Sequence, residues 1–270
     1  MSDAPKPVTI RDIVERKAKR EKIVMVSAYD ALFGRLSDQA GVDIVLVGDS
    51  VANVYAGLDS TVPVTLDQMI YHGASTRRGV KHALLVVDMP FLTYHVNEHE
   101  AIRNCGRVMQ ETLAQAVKLE GGDERMAQIV AAVAKCGIPV MGHIGFTPQS
   151  VHALGGPRVQ GKNQEAAQRL VDEARRLEDA GTFALVLELV PTDVAQKVTA
   201  AVGIPTIGIG AGIECDGQVL VLADLLGLTD QFTPKFLKRY ATLADQVRDA
   251  VRRFGDEVRR GEYPDRTHSF

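Results

Sequence analysis

Cysteine is scarce in this 270-residue chain: Cys105, Cys136 and Cys215 are odd in number and form no C-x-x-C pair. That excludes a disulfide framework and points to a reducing cytoplasm. An excess of positive charge is also missing, with 31 Lys and Arg against 34 Asp and Glu and a formal net charge of −3. No electrostatic footprint for nucleic acid or an anionic membrane remains. No apolar stretch approaches the roughly 18 to 20 residues that span a bilayer. The opening MSDAPKPVTI lacks the apolar core of a secretion signal. A soluble cytoplasmic enzyme acting on small molecules is the expectation.

What the chain does contain is a repeated pattern. Six apolar runs each end in a polar or glycine signal: VLVGD (45–49), LLVVD (84–88), VKLE (117–120), PVMGH (139–143), LVLE (185–188) and PTIG (205–208). Near-continuous runs rich in Val, Leu and Ile read as strands covered on both faces, the kind from which parallel sheets are built. Their ends lie 20 to 45 residues apart, room for a crossover helix each time. The length suits one (β/α)8 barrel domain over residues 1–270, a fold of about 250 residues. In such a barrel the C-terminal strand ends share one rim, where active sites sit. Asp49, Asp88, Glu120, His143 and Glu188 would then face one pocket.

Residues 1–8 read as disordered. A charged amphipathic helix follows over 9–22, capped by Thr9 with Asp12 in a box-like position, and closes the barrel bottom. Strands are predicted at 23–28, 43–48, 83–87, 116–119, from 139, at 183–187, up to the glycines 208–212, and within 218–223. Helices are predicted at 31–40, 66–78, 98–113, 124–135, 165–180, after a Thr192-Asp193 cap, and from Pro234 to Arg260. Two connections, 50–65 and 145–163, exceed the usual two to six residues and read as binding loops without structure of their own.

Asp49, Asp88 and Glu120 form a hard-oxygen set that suits Mg²⁺; the alternative is buried structural acids paired with Lys118 or arginines. Three carboxylates at one rim repel unless a cation or protons neutralise them. Glu188, after an apolar run and before Pro191, suits a general base, against an ordinary salt-bridge partner. Lys118, two residues before Glu120 and so on the same strand face, suits a substrate carboxylate better than a Schiff base or mere charge balance. His143 either donates to substrate or is a satisfied inward-facing histidine. His95 and His99 straddle a helix start, which speaks against zinc. Gly208, Gly210 and Gly212 give half a dinucleotide fingerprint, explained equally by close ligand approach or by packing.

Several motifs in order carry a resemblance over nearly the whole chain: LVGDSVANVYAGLDSTVPVT (46–65), VVDMPF (86–91), AVKLEGG (116–122), GHIGFTPQS (142–150), VQGK (159–162), LELVP (187–191), IGIGAG (207–212) and the final HSF (268–270). Together they resemble the ketopantoate hydroxymethyltransferase family. The resemblance implies a (β/α)8 barrel of the phosphoenolpyruvate/pyruvate superfamily type. It also implies transfer of a hydroxymethyl group from 5,10-methylenetetrahydrofolate to 3-methyl-2-oxobutanoate, giving 2-dehydropantoate for pantothenate synthesis. It puts Mg²⁺ on Asp49, Asp88 and Glu120, the 2-oxo acid on Asp49, Ser50, Asp88 and Lys118, with His143 nearby, and the catalytic base on Glu188. A homodecamer is implied as well. Three positions depart from the family pattern: Leu113 where glycine is common, Ala223 before Asp224 where histidine is common, and Pro157-Arg158 in place of an aromatic-Lys pair.

Two other readings compete. A Mg²⁺-dependent carbon-carbon or carbon-phosphorus lyase of the same superfamily would share the 2-oxo acid logic, but the K-K-C-G-H loop of isocitrate lyase-like enzymes is missing from the sequence. A non-catalytic 2-oxo acid-binding barrel would be marked by loss of Glu188 or Lys118, and both are present.

Overall fold

The computed structural model describes residues 6–230 and 233–270. The chain divides into two compact units, Met1–Leu220 and Val221–Phe270. The disorder expected over 1–8 falls partly on residues 1–5, which lie outside the described residues. Val8 is tied down, its N–H donating to the His82 carbonyl at 2.7 Å.

The first element, α1 (Ile10–Lys19), begins with the expected reciprocal cap: Thr9 accepts from the Asp12 N–H, and the Asp12 carboxylate accepts from the Thr9 N–H. It stops short of the predicted residue 22. Arg20 turns left-handed at φ 57°, and Lys22 is drawn away to donate to the carbonyls of Ile213 and Cys215.

Eight parallel strands among the described residues close a barrel in chain order. They are β1 (Ile23–Ser27), β2 (Ile44–Val47), β3 (Leu84–Asp88), β4 (Ala116–Glu120), β5 (Val140–Gly145), β6 (Ala184–Glu188), β7 (Thr206–Ile209) and β8 (Gly217–Val221). Between them run α2 (Ala31–Gln39), α3 (Val51–Val54), α4 (Leu66–Gly79), α5 (Glu98–Thr112), α6 (Glu124–Lys135), α7 (Val151–Leu154), α8 (Gln164–Asp179) and α9 (Thr192–Ala201). No described helix lies between β7 and β8. The two long connections hold structure of their own, contrary to expectation: α3 in the first, and a 3₁₀ turn (Pro148–Ser150) followed by α7 in the second. The predicted Thr192 cap is also displaced, since Pro191 is the N-cap and Thr192 the first helical residue.

Side chains alternate along a strand, and this decides what enters the barrel. Ile44, Leu46, Leu84, Val86, Ala116, Met141, Ala184 and Val186 belong to one buried interior cluster. Ile13 of α1 joins it, with Val8, Ile10 and Val14 packed against it, so α1 does plug the barrel bottom. Continuing these inward rows by two-residue steps reaches Asp88, Lys118, Glu120, His143 and Glu188. The same periodicity that builds the apolar core therefore delivers ionisable groups to its upper end. Strand starts are pinned separately: the buried Asp38 carboxylate accepts from the N–H groups of Lys81, His82 and Ala83 just before β3.

Leu113 ends α5 in the left-handed conformation, at φ 57°, and is exposed. A glycine there would adopt that backbone without the roughly 1 kcal/mol penalty a side chain brings.

The second unit carries α10 (Leu222–Leu225), α11 (Leu243–Arg259) and a 3₁₀ turn (Arg266–His268). The terminal helix predicted from Pro234 starts only at Leu243. The N–H groups of Tyr240, Leu243 and Ala244 are taken by the carbonyls of Leu225, Leu226 and Gly227, so this backbone lies against α10 and its end. No described helix is long and apolar enough to cross a membrane.

Candidate active site

Strand register fixes the site before any side chain is considered. Asp88 stands beside Lys118 across β3 and β4, and Glu120 stands beside His143 across β4 and β5. Asp49 lies two residues beyond β2, and its N–H donates to Asp88 Oδ2 at 3.1 Å. Gly48 leaves room for Ser50 beside it, because a Cβ there would meet Ser50 Oγ at 2.7 Å. Gly145, at φ +94°, does the same at the other side of the rim. A Cβ would collide with the Glu188 carbonyl, which instead accepts from the Phe146 N–H at 2.8 Å.

Asp49, Asp88, Lys118, Glu120 and His143 are all buried, each 3 or 4 % exposed. Lys118 Nζ lies 3.0 Å from Asp88 Oδ1, 3.8 Å from Glu120 Oε1 and 3.1 Å from His143 Nδ1. His143 Nε2 in turn lies 3.3 Å from Glu188 Oε2, and Glu188 retains some solvent access. Sequence order and spatial order coincide along this row of lysine, histidine and glutamate. Ser50 Oγ pairs with the Tyr29 hydroxyl at 2.8 Å, which also accepts from Ser27 Oγ at 3.0 Å.

Burial governs the charges. It pushes Asp49 up to about 6, reinforced by Glu120, and Asp88 up to about 7, with Lys118 opposing and Asp49 and Glu120 adding. Glu120 is likewise raised by burial. For Lys118 burial alone would favour the neutral amine, but the three surrounding carboxylates raise it well above the ordinary range and keep it charged. Burial and the Lys118 charge together lower His143 to about 4, so the imidazole is neutral at physiological pH. Since the ammonium only donates, His143 Nδ1 accepts and the ring proton resides on Nε2, facing Glu188. Three buried carboxylates thus share one ammonium.

Two residues that sequence reasoning missed tie the site together. Gln149 donates from Nε2 to Asp49 Oδ2 at 2.9 Å and from its backbone N–H to Glu120 Oε2 at 3.0 Å. Its side-chain oxygen accepts from the fully buried Tyr94 hydroxyl. The only sequence signal was membership of the GHIGFTPQS stretch. His95 and His99 do not share a helix face: His95 lies before α5, its Nδ1 accepting from the Leu92 N–H, and α5 begins at Glu98. Packing accounts for two glycines of this stretch, since a Cβ on Gly208 within β7 would meet Cys215 Sγ at 2.9 Å and one on Gly212 would press into Thr192; Gly210 has a positive φ of 62°. Among the described residues no group of three or more His, Cys, Asp or Glu stands arranged as a ready metal cage.

A family model described as ketopantoate hydroxymethyltransferase matches residues 7–266. The chain belongs to that family. The 3-methyl-2-oxobutanoate hydroxymethyltransferase of Pelobacter propionicus is 53 % identical over 270 residues, covering 100 % of both chains. The enzyme of that name from Syntrophotalea carbinolica is 52 % identical over 262 residues, covering 97 % of this chain and 98 % of the relative. Solved structures extend the fold more widely. 2,3-Dimethylmalate lyase, a PEP mutase/isocitrate lyase superfamily member, superposes with a TM-score of 0.63 at 16 % identity, covering 98 % of this chain and 93 % of that one. Phosphonopyruvate hydrolase in complex with oxalate and Mg²⁺ gives 0.59 at 13 % identity, covering 97 % and 93 %. These distant likenesses show the barrel; membership of the ketopantoate hydroxymethyltransferase family makes the chain a transferase and displaces the lyase reading.

Proposed function

We propose that this chain transfers a hydroxymethyl group from 5,10-methylenetetrahydrofolate to 3-methyl-2-oxobutanoate, giving 2-dehydropantoate in pantothenate biosynthesis. The observation that carries the reading is His143 Nε2 lying 3.3 Å from Glu188 Oε2, set beside a buried lysine among carboxylates. A base next to an anion-binding cation is what removal of a proton from the carbon α to a keto group requires.

Mg²⁺ fits this rim. Glu120 Oε1 is buried and accepts no hydrogen bond, Asp88 Oδ1 has only the Lys118 ammonium at 3.0 Å, and that one ammonium leaves three carboxylates under-compensated. The donors are hard oxygens, and Mg²⁺ is commonly held by one or two protein carboxylates with the remaining positions open to water and substrate oxygens. Asp49, Asp88 and Glu120 would hold it. When bound, the ion supplies Lewis-acid stabilisation of the oxygen charge that develops on the 2-oxo acid.

The chain's own residues do the rest. Lys118 holds the substrate carboxylate, with Asp49, Ser50 and Asp88 around the 2-oxo acid. His143 stands with its Nε2 3.3 Å from Glu188, whose carboxylate takes the C3 proton. One methylene carbon-nitrogen bond of the folate opens to an iminium, water adds to its carbon and the second carbon-nitrogen bond breaks, releasing tetrahydrofolate and leaving the one-carbon unit as formaldehyde. The carbon nucleophile attacks that carbonyl carbon, forming one carbon-carbon bond, and the resulting alkoxide takes a proton to become the hydroxyl of the product. The connections carrying α3 and α7 follow two of the site strands and would limit water at the one-carbon unit. With enzyme and Mg²⁺ but no folate, NMR in D₂O should show deuterium entering C3 of 3-methyl-2-oxobutanoate; an unchanged C3 proton signal overturns the reading.

The proposal includes a cytoplasmic location, in keeping with the free thiols of Cys105, Cys136 and Cys215, and a large homo-oligomer, a decamer. Support for assembly comes from α11, in which no residue is buried and Val247, Val251, Phe254 and Val258 line one exposed face. Solvent-facing apolar stripes of this kind mark association surfaces. Light scattering at micromolar concentration should give about ten times the 29.3 kDa chain mass. A monomer mass would refute assembly.

A further inference from the structure

We propose that Gln149 is a positioning residue: its side-chain amide, locked by the Tyr94 hydroxyl, and its backbone N–H together hold the Asp49 and Glu120 carboxylates in the orientation that binds a divalent cation. This rests on the reading that the rim acids hold such a cation.

Gln149 is 4 % exposed and sits in the 3₁₀ turn of the long connection after β5, well away in sequence from both acids. Its Nε2 donates to Asp49 Oδ2 at 2.9 Å and to the Met89 carbonyl at 2.8 Å, using both amide protons. Its Oε1 accepts from the Tyr94 hydroxyl at 2.7 Å, and that hydroxyl accepts from the Glu120 N–H at 3.1 Å. A flipped amide would set its oxygen against two acceptors, a carboxylate and a carbonyl, and its NH₂ against the hydroxyl. The surroundings therefore fix one orientation, which always offers a donor to Asp49. A glutamine that merely fastened its loop would need no carboxylate partner. This one spends two bonds on rim acids from different strands, Asp49 after β2 and Glu120 on β4.

The consequence is geometric. Buried hydrogen bonds to charged acceptors hold them more firmly than neutral pairs do. With Glu120 Oε2 engaged by the Gln149 backbone, Glu120 Oε1 is left without a hydrogen bond. Asp49 Oδ2 is likewise engaged by the side chain. The amide thus selects which oxygens remain available, and it ties the seating of the 145–163 connection to the state of the rim.

The test uses the full-length protein and Mn²⁺ alone, measured by calorimetry without substrate. Gln149→Met keeps the side-chain bulk and the backbone N–H on Glu120 but removes the donor to Asp49; Mn²⁺ affinity should fall at least tenfold. Tyr94→Phe removes the hydroxyl that locks the amide and that also accepts from the Glu120 N–H, and should lower affinity several-fold in the same direction. The double variant should be little worse than Gln149→Met alone, because the two act as one unit. If Gln149→Met does not fold, Tyr94→Phe carries the decision. A folded Gln149→Met or Tyr94→Phe protein with wild-type Mn²⁺ affinity and only a lower melting temperature overturns the proposal, as does a wild-type protein that binds no Mn²⁺. A wild-type protein with Gln149-dependent Mn²⁺ binding but no 2-dehydropantoate formation supports the positioning role while sinking the proposed reaction.

Discussion

Replacing Glu188 by glutamine should lower both C3 deuterium exchange and product formation by about 10²- to 10⁴-fold while leaving 2-oxo acid and Mg²⁺ binding near wild type. The amide keeps the shape of the carboxyl and its place beside His143 Nε2, 3.3 Å away in the parent protein. It cannot accept the C3 proton. Such a loss corresponds to about 3 to 5 kcal/mol of transition-state stabilisation, more than one hydrogen bond to a neutral group contributes. Calorimetric binding of the 2-oxo acid and NMR exchange should therefore come apart in this variant. His143 cannot substitute readily, because burial and Lys118 hold it neutral and its proton already sits on the nitrogen facing Glu188. Near wild-type exchange in Glu188→Gln would place the base elsewhere. Loss of substrate binding instead would make Glu188 a binding residue, and the proton-transfer step would have to be reassigned.

That Glu188 could be singled out at all follows from how a parallel barrel is encoded. Each core strand is a run of apolar residues, so an acid at its end interrupts a pattern that burial otherwise enforces. Asp88 ends Leu84–Asp88, Glu120 ends Ala116–Glu120 and Glu188 ends Ala184–Glu188, each on the inward row of its strand. The barrel and the list of ionisable candidates were legible for that reason. Their pairing was not: no periodicity says that Lys118 lies between Asp88 and Glu120 and also touches His143. Register supplies that, and register depends on how all eight strands close.

Other features escaped for equally local reasons. Gln149 and Tyr94 act through hydrogen bonds from connections, where neither 2-residue nor 3.6-residue spacing carries information. The late start of α11 follows from backbone bonds between residues 240–244 and 225–227, a tertiary effect that outweighs the helix-compatible sequence after Pro234. Leu113, by contrast, is marked by the family resemblance as standing where glycine is expected, and its left-handed backbone is one that glycine adopts without strain.

Removal of divalent cation should abolish turnover, and added Mg²⁺ should restore it. The rim without a cation holds Asp49, Asp88 and Glu120 against the single charge of Lys118, and burial answers the imbalance by raising Asp49 to about 6 and Asp88 to about 7. Protons and metal therefore compete for the same oxygens. Below about pH 6 both aspartates hold protons and affinity is weak; above about pH 7 both are ionised and affinity levels off, so metal affinity should rise with pH between these values and binding should release protons. Asp88→Asn removes one anionic ligand and leaves Lys118 with one fewer partner, so Mg²⁺ affinity should fall at least tenfold, equivalent to about 1.4 kcal/mol, and apparent affinity for the 2-oxo acid should fall with it. This joint loss separates a metal acid from Glu188, whose amide variant should bind both. Calorimetric titration of dialysed protein with Mg²⁺ across pH 5.5 to 8 measures the affinity and the proton release together. Full activity in excess chelator after dialysis, or an affinity that does not change with pH, would show that the acids serve Lys118 alone and that the charge developing on the substrate is met by Lys118 and His143.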